Sequence, residues 1–362
     1  MPTSMKDIAR DLGVSVMTVS KVIRNVPDIS EETRRRVLKR IKELNYTPNA
    51  AAQALVTGRS KVIALVVPDL VHPFFAEVAK GLSAVLRSRG YSLVISSSEE
   101  DPALEQNEIE HLLARGVDAL IIASVQTAPE SFGRIEERRT PYVLIDRKFE
   151  RLSANFIGVD DVHVGRLATQ HLLDVGCRRI AHIAGGDVST ASGRLDGYLQ
   201  TLRRRGISVQ DDLIVSRRAH ADDLGDVTGY EAMEHLLGVR PRPDGVFCFN
   251  DPTAVGATLA ILDHGLKIPD DVAVVGCGNV HYSKFLRVPL TSISQQTETM
   301  GRKAGQLALA LVNAKGAAPA RIILLEPRLE VRQSTSRLVI RGAQPAARRT
   351  TGRRTPAKRQ RR

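Results

Sequence analysis

Residues 7–25 read DIARDLGVSVMTVSKVIRN, and this stretch decides how the N-terminal end of the chain folds. Ala9 is small enough for two helices to approach, and Gly13 permits the left-handed backbone that ends a helix. Ser15 is then an N-cap, and Val19 and Val22 fall on one face of the helix that follows. The pattern predicts two short helices joined by a sharp turn, with their apolar residues packed behind it.

The flanking residues extend this unit to three helices. Ser4 and Asp7 stand three residues apart, as in a capping box at the start of the first helix. Ser30 caps a third helix, which carries Lys and Arg on its outer face. Its inner face is predicted to hold Val37, Leu38, Ile41 and Leu44 at a spacing of 3.6 residues. We therefore expect a small all-α domain over residues 1–47.

The outer face of the second helix has side chains suited to a DNA major groove. Lys21 can donate to guanine, and Val16 and Met17 can pack on thymine methyl groups. Small hydroxyl side chains suit phosphate oxygens, and we expect this role for Thr18, Ser20, Ser30 and Thr33. A three-helix bundle with no role in DNA binding would show the same spacing, so this alternative stays open.

The net charge of +12 is concentrated at the two ends of the 362-residue chain. Residues 1–59 carry 11 Lys and Arg against 6 Asp and Glu, and residues 341–362 carry 9 Lys and Arg and no acid. Basic ends on a nearly neutral body indicate contact with a polyanion at the ends. Only the N-terminal end has a structural motif that supports such a contact.

From Lys61 onward, short apolar runs alternate with stretches of helical character. Such runs are typical of parallel strands that are covered on both faces. They lie at 62–67, 92–96, 119–123, 142–145, 179–184, 245–249, 272–276 and 321–326, with helices predicted over 74–89, 103–115, 163–175 and 251–265. Residues 61–338 are thus predicted to form two α/β lobes with a ligand cleft between them. We expect residues 339–362 to be a basic disordered tail.

Several other classes of protein do not fit the sequence. No apolar run is long enough to span a membrane. Cys177, Cys248 and Cys277 are far apart and have no metal-ligand spacing, so we interpret them as buried small hydrophobes. The catalytic motifs G-x-S-x-G, H-E-x-x-H and the P-loop are missing, so we expect neither an enzyme nor a cofactor or metal.

Two binding functions remain as alternatives to sequence-specific regulation. A periplasmic solute-binding protein shares the two-lobed sensor, but residues 1–13 lack the apolar core of a signal peptide and favour a cytoplasmic protein. A nonspecific architectural protein could bind DNA through the basic tail. It would bind a defined palindrome with much the same salt dependence as random DNA.

The whole series of motifs resembles the lactose-repressor (LacI/GalR) family of bacterial regulators. The resemblance runs through KDIARDLGVSVMTVSKVIRN, TRRRVLKRIKELNYTPNAAAQAL, GRSKVIALVVPDLVHPFFAEVAKGL, RGVDALII, VLIDR, GRLDGY, VFCFND, AVGATLAIL and VPLTSISQ, over about residues 4–338. It implies a transcriptional regulator, typically a repressor, whose helix-turn-helix domain binds a palindromic operator. A small-molecule effector would control it from the two-lobed sensor.

The resemblance also assigns residues 48–60 to a hinge helix and linker. In that family the hinge folds when DNA is bound and two protomers pair. Leu55 would then be an apolar wedge in the minor groove, flanked by Ala52 and Gln53. A plain linker or core role for Leu55 is the alternative.

Pairing is expected on two grounds. One headpiece, as we call the DNA-binding domain of residues 1–47, makes only a small interface with DNA. Two headpieces on a palindrome double the contacts and restrict the register of the protein on the duplex. The family dimerises through its sensor lobes, so the resemblance implies at least a homodimer. The sequence shows no C-terminal leucine heptad that would favour a tetramer.

The resemblance places eight residues at the effector site. These are Phe74, Phe75, Asp146, Arg194, Asn250, Asp251, Gly278 and Gln295. Arg194 matches an arginine that supplies paired donors to hydroxyl or carboxylate groups. Packing and capping are equally good roles for Phe75 and Asp251.

One position departs from the family pattern. Most relatives have an acid after VVG-x, and that carboxylate commonly binds a sugar hydroxyl. This chain reads VVGCGN, so Gly278 stands in the place of the acid and offers only backbone groups. A sugar or sugar derivative remains a candidate effector without that carboxylate.

Overall fold

The N-terminal domain is a bundle of three helices that begin at the predicted caps. The computed structural model describes residues 4–47, 54, 57–149, 152–216, 225–314, 316 and 319–336. The first helices are α1 (Met5–Leu12), α2 (Val16–Ile23) and α3 (Glu31–Glu43). Ser4 and Asp7 form the expected capping box, and Gly13 ends α1 with a φ of 66°. Ser15 and Ser30 cap α2 and α3 through Thr18 N and Thr33 N.

The core of this domain confirms most of the predicted inner faces. Ile8, Val19 and Val37 are fully buried and come from one helix each. The prediction for Leu38 was wrong, because its side chain is 48% exposed. A helix this short against two partners buries only a narrow stripe, and Leu38 lies just outside it.

Two basic residues of α3 hold the domain together. Arg40 forms an ion pair with Asp11 of α1, with Nη2 2.6 Å from Oδ2. Arg34 donates to Asn25 Oδ1 and to the Val26 carbonyl, at 2.7 and 2.6 Å, and so fixes the connection between α2 and α3. Both arginines therefore form contacts within the N-terminal domain itself.

The sensor consists of two α/β lobes, as predicted. Lobe 1 contains β1 (Val62–Val67), α4 (Pro73–Ser88), β2 (Ser92–Ser97), α5 (Pro102–Ala114), β3 (Ala119–Ile122), α6 (Gly133–Glu137), β4 (Tyr142–Ile145), β5 (Asn155–Val159), α11 (Thr297–Asn313) and β11 (Ile322–Leu325). Lobe 2 contains α7 (Asp161–Asp174), β6 (Ile180–Ala184), α8 (Ser189–Arg204), β7 (Ile214–Ser216), α9 (Asp226–Gly238), β8 (Gly245–Cys248), α10 (Asp251–Asp263), β9 (Ala273–Gly278), β10 (Thr291–Ser294) and β12 (Arg328–Glu330).

Each lobe is built on one six-stranded sheet. The strand orders are β11-β5-β4-β3-β1-β2 in lobe 1 and β12-β10-β9-β8-β6-β7 in lobe 2. The chain passes between the lobes three times, after β5, after β10 and after β11. Parallel strands place their carboxyl ends on one side of each sheet, and the crossovers bring these two sides together as a cleft.

The structure adds strands that the apolar runs did not indicate. β5, β7, β10 and β12 contain polar residues or glycine, and two of them are only three residues long. β12 pairs with β10 in an antiparallel manner, so the second sheet is not wholly parallel. These strands form because neighbouring strands supply hydrogen-bond partners, which a local apolar pattern does not encode.

Other predictions concern single residues and composition. Cys177, Cys248 and Cys277 are buried free thiols, as predicted. Over the part of the chain that the structure describes, no helix combines the length and apolar character needed to cross a bilayer. No group of His, Cys, Asp and Glu side chains there has the arrangement of a metal site.

Candidate DNA interface and effector cleft

The outer face of α2 combines exposed apolar side chains with a buried inner face. Met17 is 61% exposed and Val16 is 39% exposed, whereas Val19 and Val22 are packed in the core. Exposed apolar residues on a helix that is fixed from behind are available to contact base methyl groups. Val16 and Met17 therefore lie where the sequence placed them, on the free side of the second helix.

Lys21 is already paired in the structure. Its Nζ lies 2.5 Å from Asp28 Oδ2, in the connection between α2 and α3. The Lys21 hydrogen bond is the largest contribution that lowers the pKa of Asp28. Lys21 must break its ion pair with Asp28 before its ammonium group can donate to a guanine.

Three of the four hydroxyl residues predicted to contact phosphates lie at helix N-termini. The Thr18 hydroxyl is 2.9 Å from Ser15 Oγ at the start of α2, and Ser30 and Thr33 form the same contact at the start of α3. Helix N-termini favour phosphate because of their free N–H groups. Ser20 is half-buried on α2. The hinge residues Ala52, Gln53 and Leu55 lie outside the described residues.

The aromatic residues after β1 are packed into lobe 1. His72 caps α4, and Phe74 and Phe75 follow it with ring centroids 5.1 Å apart in an edge-to-face arrangement. Both phenyl groups are largely buried, at 4% and 6% exposed. For Phe75 this position accords with the packing role.

Asp146 and Gln295 meet on the lobe 1 side of the cleft. Asp146 directly follows β4 and has a positive φ of 61°, and its Oδ1 accepts a hydrogen bond from Gln295 Nε2 at 3.3 Å. Gln295 lies in the crossover between β10 and α11, and it is 3% exposed. The contact therefore ties the end of a lobe 1 strand to a connection between the lobes.

Arg194 on α8 forms a buried ion pair with Asp161 at the start of α7. The Nε atom lies 3.0 Å from Asp161 Oδ1, and Nη1 donates to the Phe249 carbonyl at 2.7 Å. The guanidinium carbon also lies 4.7 Å from the centroid of the Phe249 ring. Nη2 takes part in none of these contacts.

Arg194 and Asp161 shift the pKa values of each other. Burial alone would lower the pKa of Arg194, but Cys277, Asp161 and Asp146 raise it above its usual range. Burial raises the pKa of Asp161, and the Arg194 charge opposes that rise. Arg194 therefore stays a cation that faces two carboxyl groups in a site with little water.

Asp251 is fully buried and its carboxylate is saturated. Oδ1 accepts from Ser292 Oγ at 2.6 Å, and Oδ2 accepts from Ser283 Oγ at 2.7 Å and from Val280 N at 2.9 Å. Burial raises the pKa of Asp251, whereas these hydrogen bonds lower it. The side chain holds the loop after β9 in place, which accords with a structural role.

Gly278 lies at the end of β9 and has a φ of 124°. Side chains with a Cβ rarely adopt this conformation, and a Cβ here would stand 3.8 Å from Asp251 Oδ2. An acid at this position would be strained and would face a second carboxylate. The backbone conformation at this position therefore favours the glycine of this chain over the acid of the family pattern.

Among the described residues, three hydrogen-bond contacts join the lobes across the cleft. Asn250 Nδ2 lies 3.3 Å from His72 Nε2, and burial lowers the pKa of His72, which favours the neutral ring. Lys148 N donates to Ser189 Oγ at 3.0 Å. His281 N donates to Glu77 Oε1, also at 3.0 Å.

Asp161, His72 and Phe249 are cleft residues that the sequence did not indicate. Asp161 follows β5, a strand that the apolar pattern missed, so its place at a strand end was not visible. His72 stands beside the predicted Phe74, and Phe249 stands beside the predicted Asn250. Proximity in sequence to those two residues was the signal that could have found them.

Comparison with known proteins follows the same division of the chain. Residues 4–49 match the family described as bacterial regulatory proteins, lacI family. Residues 169–335 match the periplasmic binding protein-like domain.

Relatives match over nearly the whole length. The chain is 34% identical over 342 residues to the HTH-type transcriptional regulator DegA of Bacillus subtilis (strain 168), covering 93% of this chain and 99% of that protein. It is 32% identical to the HTH-type transcriptional repressor PurR of Pasteurella multocida (strain Pm70), covering 91% and 98%.

Solved structures agree with the fold. The Lac repressor dimer bound to operator and the anti-inducer ONPF is 26% identical, with a TM-score of 0.81 over 92% of this chain and 99% of that chain. The transcriptional regulator CelR in complex with cellobiose is 30% identical, with a TM-score of 0.69 and the same coverage. The chain therefore belongs to the LacI family of DNA-binding transcriptional regulators, with a helix-turn-helix domain followed by an effector-binding domain.

Proposed function

We propose that the chain is a repressor that binds a palindromic operator as a homodimer and responds to a small polar effector in the cleft. The observation that carries this proposal is the polar cluster between the lobes. There Nη2 of Arg194 takes part in none of the contacts to Asp161 and Phe249, Asp146 accepts from Gln295, and contacts such as Asn250–His72 connect the two lobes. A ligand that binds this cluster changes the relation between the lobes.

The headpiece supports the DNA part of the proposal. Val16, Met17 and Lys21 lie on the free side of α2 and would contact bases, while Thr18, Ser20, Ser30 and Thr33 would contact phosphates. The similar Lac repressor structure is a dimer on its operator. Two headpieces on one palindrome give this chain the same advantage in contact area.

The linker would couple the two parts. In our proposal residues 48–60 include a hinge, in which Leu55, beside Ala52 and Gln53, wedges the minor groove. Effector binding would move the two hinge segments apart or together. The effector shifts operator affinity only by its different affinity for the two arrangements.

For the effector we propose a neutral, hydroxyl-bearing compound such as a sugar or sugar derivative. Arg194, Asn250, Asp146 and Gln295 offer both donors and acceptors to hydroxyl groups. The CelR structure contains cellobiose. Phe74 would border the site, whereas Gly278 contributes only backbone. We propose no catalysis, cofactor or metal, and a cytoplasmic location.

Two measurements test the proposal. Selection of bound sequences from random duplex DNA by the purified protein should yield a palindrome with two half-sites. A thermal-shift screen of monosaccharides, disaccharides and purine bases should then find a compound that stabilises the protein and changes its affinity for that palindrome. Selection of single half-sites would contradict the dimer, and stabilisation by purines alone would contradict the sugar.

A further inference from the structure

The edge of lobe 1 opposite the cleft carries an unbalanced positive charge. This basal edge consists of residues 59–61, 89–91, 115–118 and 138–141, which lead into β1, β2, β3 and β4. The order β4-β3-β1-β2 makes these four strands neighbours. At about 4.8 Å per strand the row is about 15 Å wide. Its basic residues are Arg59, Lys61, Arg89, Arg115, Arg138 and Arg139.

Backbone hydrogen bonds hold the starts of these four strands side by side at the same edge of the sheet. Ser92 N donates to the Lys61 carbonyl at 2.9 Å, and Asp118 N donates to the Val62 carbonyl at 2.8 Å. Leu120 N donates to the Pro141 carbonyl at 3.0 Å. The basic side chains therefore start from one row of backbone and form a single surface.

Most of this charge is not used within the protein. Arg89, Arg115, Arg138 and Arg139 are exposed, and none of them forms an ion pair with the described residues. The acid of the basal edge, Asp118, accepts hydrogen bonds from Ser60 and from Lys61 N.

Two acids lie just before the basal edge, in the last turn of α6. Glu136 accepts from the Tyr142 hydroxyl, and Glu137 pairs with Arg134. The ion pair offsets the charge of Glu137. Glu136 keeps its charge, because the Tyr142 hydroxyl is neutral, so Glu136 and Asp118 stand against the six basic residues of the basal edge.

Helix dipoles alone do not explain this surface. Basic residues at helix C-termini complement the dipole in any α/β protein, and lobe 2 has them at its own edge. There, however, the loops before β6, β7, β8 and β9 contain six basic residues and five acids: Asp211, Asp212, Asp244, Asp270 and Asp271. Pairs such as Arg179–Asp212 neutralise that edge. The excess charge is confined to lobe 1.

The basal edge is also where the chain arrives from the DNA-binding domain. Residue 47 ends the described part of the DNA-binding domain and Gly58 leads into β1, so ten residues, 48–57, connect them. Even fully extended, such a linker spans at most about 40 Å. A groove of about 830 Å³ lies at this edge, lined by Arg59, Arg139, Thr140 and Gly116 among others. A duplex carries about nine phosphate charges in 15 Å of its axis.

We propose that the basal edge of lobe 1 is a second DNA-binding surface, which contacts phosphates beside those bound by the headpiece. Arg89, Arg115, Arg138 and Arg139 supply the contacts, and they contribute affinity without sequence preference. The inference rests on operator binding by the headpieces.

The test is the salt dependence of operator binding by the full chain. The basal variant carries Arg89→Gln, Arg115→Gln, Arg138→Gln and Arg139→Gln. The control variant removes four exposed charges from the far end of lobe 2, with Arg178→Gln, Arg203→Gln, Arg204→Gln and Lys267→Gln. Affinity for the operator duplex is measured between about 50 and 200 mM salt, the range in which phosphate contacts dominate. Thermal unfolding confirms that both variants are folded.

Loss of one phosphate contact per protomer lowers the magnitude of the slope of log K against log[salt] by about 1.8 in a dimer. We expect at least this fall for the basal variant, with an affinity loss of about tenfold or more, and little change for the control. An unchanged slope in the basal variant overturns the inference, and so does an equal fall in the control, which would indicate a general charge effect. Failure of the unmodified protein to bind the duplex would instead refute the proposed function.

Discussion

Arg194 and Asp161 form a buried ion pair that joins α8 to α7, with Nε and Oδ1 3.0 Å apart. The side chains are 3% and 9% exposed. The same arginine is the proposed contact for the effector. One residue therefore has both a structural role and a binding role, and substitutions at this position must separate them.

The structural role predicts an asymmetric loss of stability. Arg194→Ala leaves the Asp161 carboxylate buried without its partner, and should lower the free energy of unfolding by about 3–5 kcal/mol. Adding Asp161→Ala to that variant should recover part of the loss, because no unpaired charge remains. Urea unfolding of the two single variants and the double variant measures the coupling. Additive losses would show that the pair contributes nothing.

The binding role is tested by a change that keeps the charge. Arg194→Lys retains a cation opposite Asp161 but loses the forked donors, so the protein should fold and bind operator while its response to the stabilising sugar falls by tenfold or more, corresponding to about 1.4 kcal/mol or more. Operator affinity is measured with and without that sugar. Arg205→Lys, just beyond α8 and exposed, is the control. A normal dose response in Arg194→Lys would exclude Arg194 from the site.

The two faces of α2 should respond to truncation in opposite ways. Met17→Ala removes an exposed side chain, so stability should stay constant while operator affinity falls about fivefold through lost apolar contact. Val19→Ala should lower the free energy of unfolding by about 2 kcal/mol because Val19 is fully buried.

The matched control for Met17 is Leu38→Ala. Leu38 is also apolar and exposed, but it lies on α3. Electrophoretic mobility shifts measure the operator affinity of the three variants, and thermal unfolding measures their stability. Equal losses of affinity in Met17→Ala and Leu38→Ala would argue against α2 as the reading helix.

Asp251 and its neighbour Asn250 should also differ in effect. Asp251→Ala leaves the donors of Ser283, Ser292 and Val280 unsatisfied and should destabilise the protein by about 3 kcal/mol or more. Asn250→Ala should instead weaken the response to the sugar, since its amide is half-buried at the cleft. Calorimetric titration of the folded variants measures this. Loss of sugar binding in a folded Asp251→Asn variant would assign the carboxylate to the effector.

His182 predicts a pH dependence of stability. It is fully buried, stacks between Tyr198 and Phe247, and burial lowers its pKa to about 4. The unfolded chain, with a pKa near 6.5, binds the proton first as the pH falls. The stability from this group is therefore complete above about pH 6.5 and is lost toward pH 4, by about 2 kcal/mol between pH 7 and pH 5.

Substitution of His182 isolates this contribution. His182→Phe keeps the aromatic stack and has no proton to bind, so its free energy of unfolding should fall less over the same pH range. The difference between the two proteins at pH 7 and pH 5 is the quantity to measure. Parallel curves would show that His182 does not titrate in this range.

Much of the fold was predictable because local patterns carry it. Caps such as Ser4, Ser15 and Gly13, and apolar runs such as VIALVV, are short-range signals whose physical cause lies within a few residues. The alternation of such runs with helices was enough to predict two lobes, each with a parallel sheet, and a cleft at the carboxyl ends of the strands. The basic character of both chain ends was equally visible.

The tertiary structure decided which of those residues are free to act. The sequence by itself placed Asp251 directly after an apolar run and Arg194 in the motif GRLDGY. Only the tertiary structure showed that Arg194 pairs with Asp161 through Nε and leaves Nη2 outside that pair. It also showed that the carboxylate of Asp251 accepts hydrogen bonds from Ser283 and Ser292 of the same lobe. Likewise the arginines at 89, 115, 138 and 139 are scattered in sequence, and strand order places them in one row. Hydrogen-bond saturation and charge balance depend on neighbours that are distant along the chain, so no local pattern specifies them.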